Sequence, residues 1–238
     1  MAKSVLHLAE SRGMSNFGWL FSTHTFSFGD YYDPDRIHFG ALRVINDDIV
    51  APGKGFGSHQ HSNMEIITIP LEGDLEHKDS MNNVSFIRNG DIQVISAGMG
   101  IYHSEYNKNK DRSVRFLQIW VLPNQKNVLT RYDQKTLDRS KSINQLQQIL
   151  SPDETDEGVW IYQDTWFHSG KLDAGVSLEY RLKNIKDGVY IFVLQGDVEV
   201  NDQKLKTRDG YGIWEVEQFN ITALSDCEIL LMEVPMIV

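Results

Sequence analysis

One phrase occurs twice in this chain. Leu71-Glu72-Gly73-Asp74-Leu75-Glu76 returns as Leu194-Gln195-Gly196-Asp197-Val198-Glu199. Each copy follows an apolar run, Ile66 to Ile69 in one half and Val189 to Val193 in the other. Each is followed by a short hairpin pattern and a glycine-led strand: Asn89-Gly90-Asp91-Ile92 against Asp209-Gly210-Tyr211-Gly212-Ile213-Trp214. Internal self-similarity fixes architecture more firmly than any single motif, because it implies two copies of one structural unit. The unit itself reads as β. Short runs alternate apolar and polar residues and are broken by Gly, Asn-Asn and Asn-Gly, the pattern of antiparallel strands joined by tight turns.

In chain order, residues 1–40 are dense in aromatics: Phe17, Trp19, Phe21, Phe26, Phe28, Tyr31 and Tyr32. Such a run fills a core or covers the rim of a barrel more often than it stacks on a ligand. Ala41 to Ile45 reads as a strand and Asn46-Asp47-Asp48 as its turn. Pro70 cannot donate to a ladder, so an edge or a bulge is expected there. Val114 to Leu122 is the longest apolar strand of the first half. Residues 124–157 are polar, with one weak helical phrase, Ile143 to Leu150, and read as a segment crossing between halves. The expected division is a first domain over 1–123, a link over 124–157 and a second domain over 158–238.

Chemistry concentrates between Gly53 and Glu105. Residues i and i+2 of a strand share a face, so His59 with His61, and His103 with Glu105, each project side by side. Facing strands would bring three imidazoles and one carboxylate to one point. That donor set suits a divalent transition metal, and the absence of Cys argues against a structural thiolate zinc site. The second copy cannot rebuild it, since the last histidine, His168, precedes the whole echo. His24, His38, His77 and His168 stand alone in their segments and are expected to be structural.

The formal net charge of −10 argues against a general nucleic-acid or membrane-surface binder. Cys227 is the only cysteine, so no intramolecular disulfide is possible, and its apolar surroundings suggest a small buried residue. No stretch has the length of a signal-peptide core or a membrane span, which makes a cytoplasmic protein the expectation.

The segments Phe17-Gly18-Trp19-Leu20, His24-Thr25-Phe26-Ser27-Phe28, Leu42 to Asp48, His59-Gln60-His61, Met64-Glu65-Ile66 and Ser96 to Glu105 resemble the pirin family of the cupin superfamily, in particular its bacterial members with quercetin 2,3-dioxygenase activity. The spacing of Gly53, His59, His61 and Glu65 also fits the general cupin pattern. The resemblance implies an all-β bicupin, two antiparallel barrels of the double-stranded β-helix type, with the metal in the N-terminal barrel only. It implies His59, His61, His103 and Glu105 as metal ligands, with Glu65 left out of the set. Iron(II) is the implied ion, with nickel, manganese, cobalt, copper and zinc also compatible. A flavonol-like substrate and dioxygen would be the partners, and Glu105 could serve as general base. The competing role within the family is a non-catalytic, iron-dependent redox-responsive protein that modulates a transcription factor or other protein. Gln60 replaces a usual Pro and Ser62 a usual Arg, and the missing Arg bears on pocket charge and hence on substrate.

Overall fold

The computed structural model describes residues 2–237, whose regular structure is strands with two short 3-10 turns at Ala9–Ser11 and Arg139–Ser142. The first group comprises β1 (Lys3–His7), β2 (Gly13–Asn16), β3 (Leu20–His24), β4 (Leu42–Val50), β5 (Gly55–His61), β6 (Glu65–Glu72), β7 (Asp74–Asp79), β8 (Val84–Arg88), β9 (Asp91–Ser96), β10 (Ile101–Asn107), β11 (Val114–Val121) and β12 (Arg131–Thr136). The second comprises β13 (Leu146–Ser151), β14 (Val159–Trp160), β15 (Trp166–Leu172), β16 (Ser177–Arg181), β17 (Asp187–Gln195), β18 (Val198–Val200), β19 (Gln203–Leu205), β20 (Gly210–Trp214), β21 (Gln218–Ala223) and β22 (Cys227–Pro235).

These form two barrels built alike, each a seven-stranded sheet with a four-stranded one. The first barrel has the orders β12-β9-β6-β11-β4-β3-β2 and β5-β10-β7-β8; the second has β1-β20-β17-β22-β15-β13-β14 and β16-β21-β18-β19. Pairing is antiparallel except between β13 and β14. The all-β, duplicated architecture expected from the echo is the one observed. Its turn glycines have the positive φ the phrase requires, Gly73 at 73° and Gly196 at 80°.

The large sheets of the two barrels pack on each other. Ile45, Ile67, Leu117 and Ile119 of the first meet Phe167, Phe192, Leu230 and Met232 of the second in one apolar cluster. Burying such side chains stabilises by roughly 1.5–3 kcal/mol each, so this shared layer fixes the barrels relative to each other. Chain ends reinforce it: β1 hydrogen-bonds along β20, so the first residues lie in the second barrel's sheet.

Two local expectations are overturned. Asn46-Asp47-Asp48 is no turn but the middle of β4, with all three residues buried. Asn46 bonds His24 and Asp47 meets arginines inside, so the strand continues where propensity alone would end it. The phrase Ile143 to Leu150 forms no helix. Leu146–Ser151 is β13, paired with β15, and these ladder bonds outweigh a helix too short to be stable alone. Pro70 is not on an edge, since β6 lies between β9 and β11; the register slips opposite it, between Arg115 and Phe116, which is the bulge alternative. Segment 124–157, read as a link, contributes β12 to the first large sheet and β13 to the second.

Candidate metal centre

β10 and β5 run antiparallel at the open end of the first barrel and place the expected residues opposite one another. His103 pairs with His59, and Ile101 with His61. The register then slips, so that Glu105 faces Phe56. A bulge of this kind re-aims side chains at a barrel rim. The donor nitrogens of His59, His61 and His103 lie within 4.8 Å of one another. Nitrogens sharing one tetrahedral ion at about 2.1 Å lie about 3.4 Å apart, so the rings must close in by about an ångström to share one ion.

The electrostatics fit a cation. His103 is buried, and neither ring nitrogen has a hydrogen-bond partner among the described residues. An orphaned buried imidazole is costly unless something occupies its lone pair. Burial, then the neighbouring His59, holds His103 down to about 3; burial, with His103 and His59, holds His61 down to about 4. Both rings are therefore neutral and able to donate a lone pair at neutral pH. The Nδ1 of His59 lies 2.8 Å from the Gly57 carbonyl, an N–H donation that leaves Nε2 free to ligate.

Glu105 is buried beside these rings but held differently. Gln118 donates to its Oε2 at 2.9 Å, and the Thr68 hydroxyl lies 3.4 Å from Oε1. Burial raises its pKa above the ordinary carboxylate value. The tight donor cluster comprises the three histidines; Glu105 lines the same cavity at its inner wall.

That cavity has a volume of about 510 Å³. Phe17, Trp19, Phe28, Phe56 and Trp120 supply apolar wall, so the N-terminal aromatics cover the mouth of the first barrel. Polar residues line its other side: His24, hydrogen-bonded to Asn46 and Ser15, with Asn46, Asp48 and Gln118. Burial pushes the Asp48 carboxyl up to about 7. Asp48 and Gln118 escaped the sequence reading. Their only signal was a polar residue interrupting an apolar strand, as Gln118 does in Val114 to Leu122.

The remaining candidates lie elsewhere. Glu65 does not line the cavity; it accepts a 2.6 Å hydrogen bond from Ser96, and burial raises it to about 7. His38 bonds the Gly40 carbonyl. His77 pairs with Asp79 at 2.9 Å and stacks on Tyr132, its ring 5.6 Å from that of His103, behind the cluster. His168 sits in the second barrel beside Tyr180. Cys227 is a free, buried thiol.

The Pirin family profile matches residues 6–121, and that of the quercetinase C-terminal cupin domain matches residues 148–234. Quercetin 2,3-dioxygenase of Escherichia coli (strain K12) is 41% identical over 230 residues, covering 97% of this chain and 98% of its own. A pirin-like protein of Caulobacter vibrioides is 39% identical over 93% of this chain and 95% of its own. The crystal structure of the bacterial pirin YhhW from Escherichia coli in complex with nickel(II) superposes with a TM-score of 0.94 at 40% identity, covering 99% of this chain and 100% of that one.

Proposed function

The chain belongs to the pirin family, and on that premise we propose that it is a metal-dependent dioxygenase opening the ring of a flavonol, quercetin or a close analogue, with loss of carbon monoxide. The observation that carries the reading is the cluster of His59, His61 and the buried His103 beside an aromatic-walled cavity. Its volume lies within the range of about 300–1,000 Å³ usual for small-molecule sites. A flat polyphenol would find stacking surface on Trp19, Phe28 and Trp120, and hydroxyl partners in Asp48, Asn46 and His24.

His59, His61 and His103 would hold the ion, with Glu105 as the fourth ligand. Three neutral imidazoles and one carboxylate suit a first-row divalent ion; iron(II) is our first choice, and nickel(II) fits the same donors. When bound, the ion supplies Lewis acidity toward the deprotonated flavonol hydroxyl and a place to bring dioxygen beside it. The protein's own contribution is positional and acid–base. Gln118 and Thr68 fix the orientation of Glu105, and burial raises its proton affinity, which favours it as acceptor of the substrate's hydroxyl proton. The aromatic wall excludes bulk water and aligns the ring to be cleaved.

The test is anaerobic reconstitution with Fe(II), then quercetin and air, following its visible absorbance together with carbon monoxide release. Turnover should vanish in His59→Ala with loss of bound metal. In Glu105→Gln the rate should fall by about 10²–10⁴-fold. A Glu105→Gln protein with full metal and full rate would remove the proposed base. Bound metal with quercetin untouched would move the weight to another substrate or to the metal-dependent regulatory role.

A further inference from the structure

A second concentration of charge lies where the two barrels meet, away from the metal centre. Arg115 donates to both carboxylate oxygens of Asp47, at 2.8 and 2.7 Å. Arg208, from the second barrel, brings Nε to 3.3 Å of the same carboxylate, and Arg12, from the N-terminal segment, brings Nη1 to 3.9 Å. Three guanidinium ions thus converge on one carboxylate. No other carboxylate comes within ion-pairing distance of the three among the described residues. Asp209 is close but engaged, accepting from the backbone N–H groups of Ala9 and Lys206.

The excess charge lies mostly below the surface. The side chains are 7% exposed for Arg12, 14% for Arg208, 29% for Arg115 and 1% for Asp47. The Nη1 groups of Arg12 and Arg208 are buried with no hydrogen-bond partner among the described residues. A buried, charged donor without an acceptor is among the most expensive features a fold can carry, and a balanced structural ion pair would not leave two of them.

Backbone geometry singles out Arg208. Asp91 and Asp209 accept the amide three residues earlier in the same way, from Arg88 and Lys206, both at 2.8 Å. The residue before each aspartate therefore occupies equivalent places in the two barrels: Gly90 at φ 103° in the first, Arg208 at φ 71° in the second. The turn favours glycine, yet an arginine stands there with its backbone strained. Arg208 also forms part of the wall of a cleft of about 680 Å³ between the barrels, where Arg139 and Lys171 are accompanied by Asp91, Asp173 and Glu228, Lys171 lying 3.4 Å from Glu228.

We propose that Arg12, Arg115 and Arg208 form a phosphate-binding site at the junction of the barrels, taking a tetrahedral phosphoryl oxyanion whose organic part, if any, lies in the adjoining cleft. Guanidinium forks match phosphate oxygens in geometry and charge. One oxyanion would give both orphaned Nη1 groups an acceptor and neutralise the two uncompensated charges, joining the N-terminal segment, the first barrel and the second.

Isothermal titration calorimetry of the metal-loaded protein with inorganic phosphate, at ionic strength fixed with chloride, tests this. Saturable binding at one site per chain is expected, with a phosphate-dependent rise in melting temperature that chloride does not produce. Arg208→Gly adopts the residue that the first barrel uses at this turn and should fold normally while weakening phosphate at least about tenfold. Tighter binding of an alkyl phosphate than of inorganic phosphate would identify a phosphorylated small molecule as the ligand; the reverse order would identify free phosphate. No saturable binding in the wild type overturns the proposal. So does equal binding in Arg208→Gly, which would place the anion elsewhere, the metal included.

Discussion

The two barrels share a topology and differ in what fills them. Taking the Gly73-Asp74 and Gly196-Asp197 turns as equivalent, Leu75 pairs with Asn107 on β10, and Val198 with Ala223 on β21. Stepping back two residues at a time places Glu105 opposite Ile221 in the comparison, and His103 opposite Phe219. His103 pairs across the sheet with His59, as Phe219 does with Tyr180. The layer beneath follows suit. Thr68, flanked by Gln118 and Gln93, corresponds to Ile191, flanked by Leu231 and Tyr211.

The consequence shows in the cores. The second barrel has one continuous apolar interior running from Leu172 through Tyr180, Ile191 and Phe219 to Leu231. In the first, the interior is divided into two small clusters, around Leu75, Ile87 and Phe116 and around Ile66, Ile95 and Ile101. The polar layer of His103, Glu105, Thr68, Gln93 and Gln118 lies in the same interior. One unit keeps the hydrophobic stabilisation while the other gives it up for a site. Docking the large sheets together lets the stable barrel support the functional one.

The largest break of this comparison would be to write the site into the wrong barrel. Phe219→His with Tyr180→His puts imidazoles into the second barrel's apolar cluster and removes the 2.7 Å hydrogen bond from Tyr180 to the buried Glu233. Denaturant melts should show a loss of about 3–5 kcal/mol, from lost apolar burial and unmatched ring nitrogens, and elemental analysis an unchanged metal content. A second equivalent of bound metal would contradict the view that the polar layer, and not the histidines alone, makes the site.

The converse change is gentler. Gln118→Leu gives the first barrel the residue its counterpart carries at Leu231, and removes the donor holding Glu105. Metal affinity or flavonol turnover should drop about 10–100-fold, as for other groups that orient a ligand, with the melting temperature retained or raised. Unchanged affinity and turnover would mean that Glu105 is positioned without it.

The smallest effect concerns a buried imidazole outside the proposed metal centre. Burial, with Lys183 nearby, holds His168 down to about 4. Since an unfolded histidine titrates near 6.5, the unfolded chain binds the extra proton first. The stability tied to a neutral His168 is full above about pH 6.5 and is lost as pH falls toward 4. His168→Gln has no such loss, so the wild type's advantage over it should shrink across that window in urea melts, and a constant difference would show that the fold does not lower the proton affinity of the ring.

Much of this was legible in the residues. The echo gave two β units, and the His59/His61 and His103/Glu105 spacings fixed which side chains share a strand face, because strand periodicity is a property of the backbone itself. The pattern was weakest where local preference and tertiary context disagree. Asn46-Asp47-Asp48 has the composition of a turn, yet it runs through β4 because Asp47 meets three arginines and Asn46 meets His24. Ile143 to Leu150 has helical spacing, yet from Leu146 onward it pairs with β15.

The chain by itself thus determined the all-β duplicated class, the barrel that could bear a metal, and the residues able to ligate it. Only the tertiary structure decided the bulge that sets Glu105 apart from the three histidines, the polar layer that splits the first core, the aromatic mouth over the cavity and the arginine cluster between the barrels. Those features depend on contacts between residues far apart in sequence, whose energies are set by burial and by the partners that burial supplies. Spacing along one strand carries no record of what lies across from it.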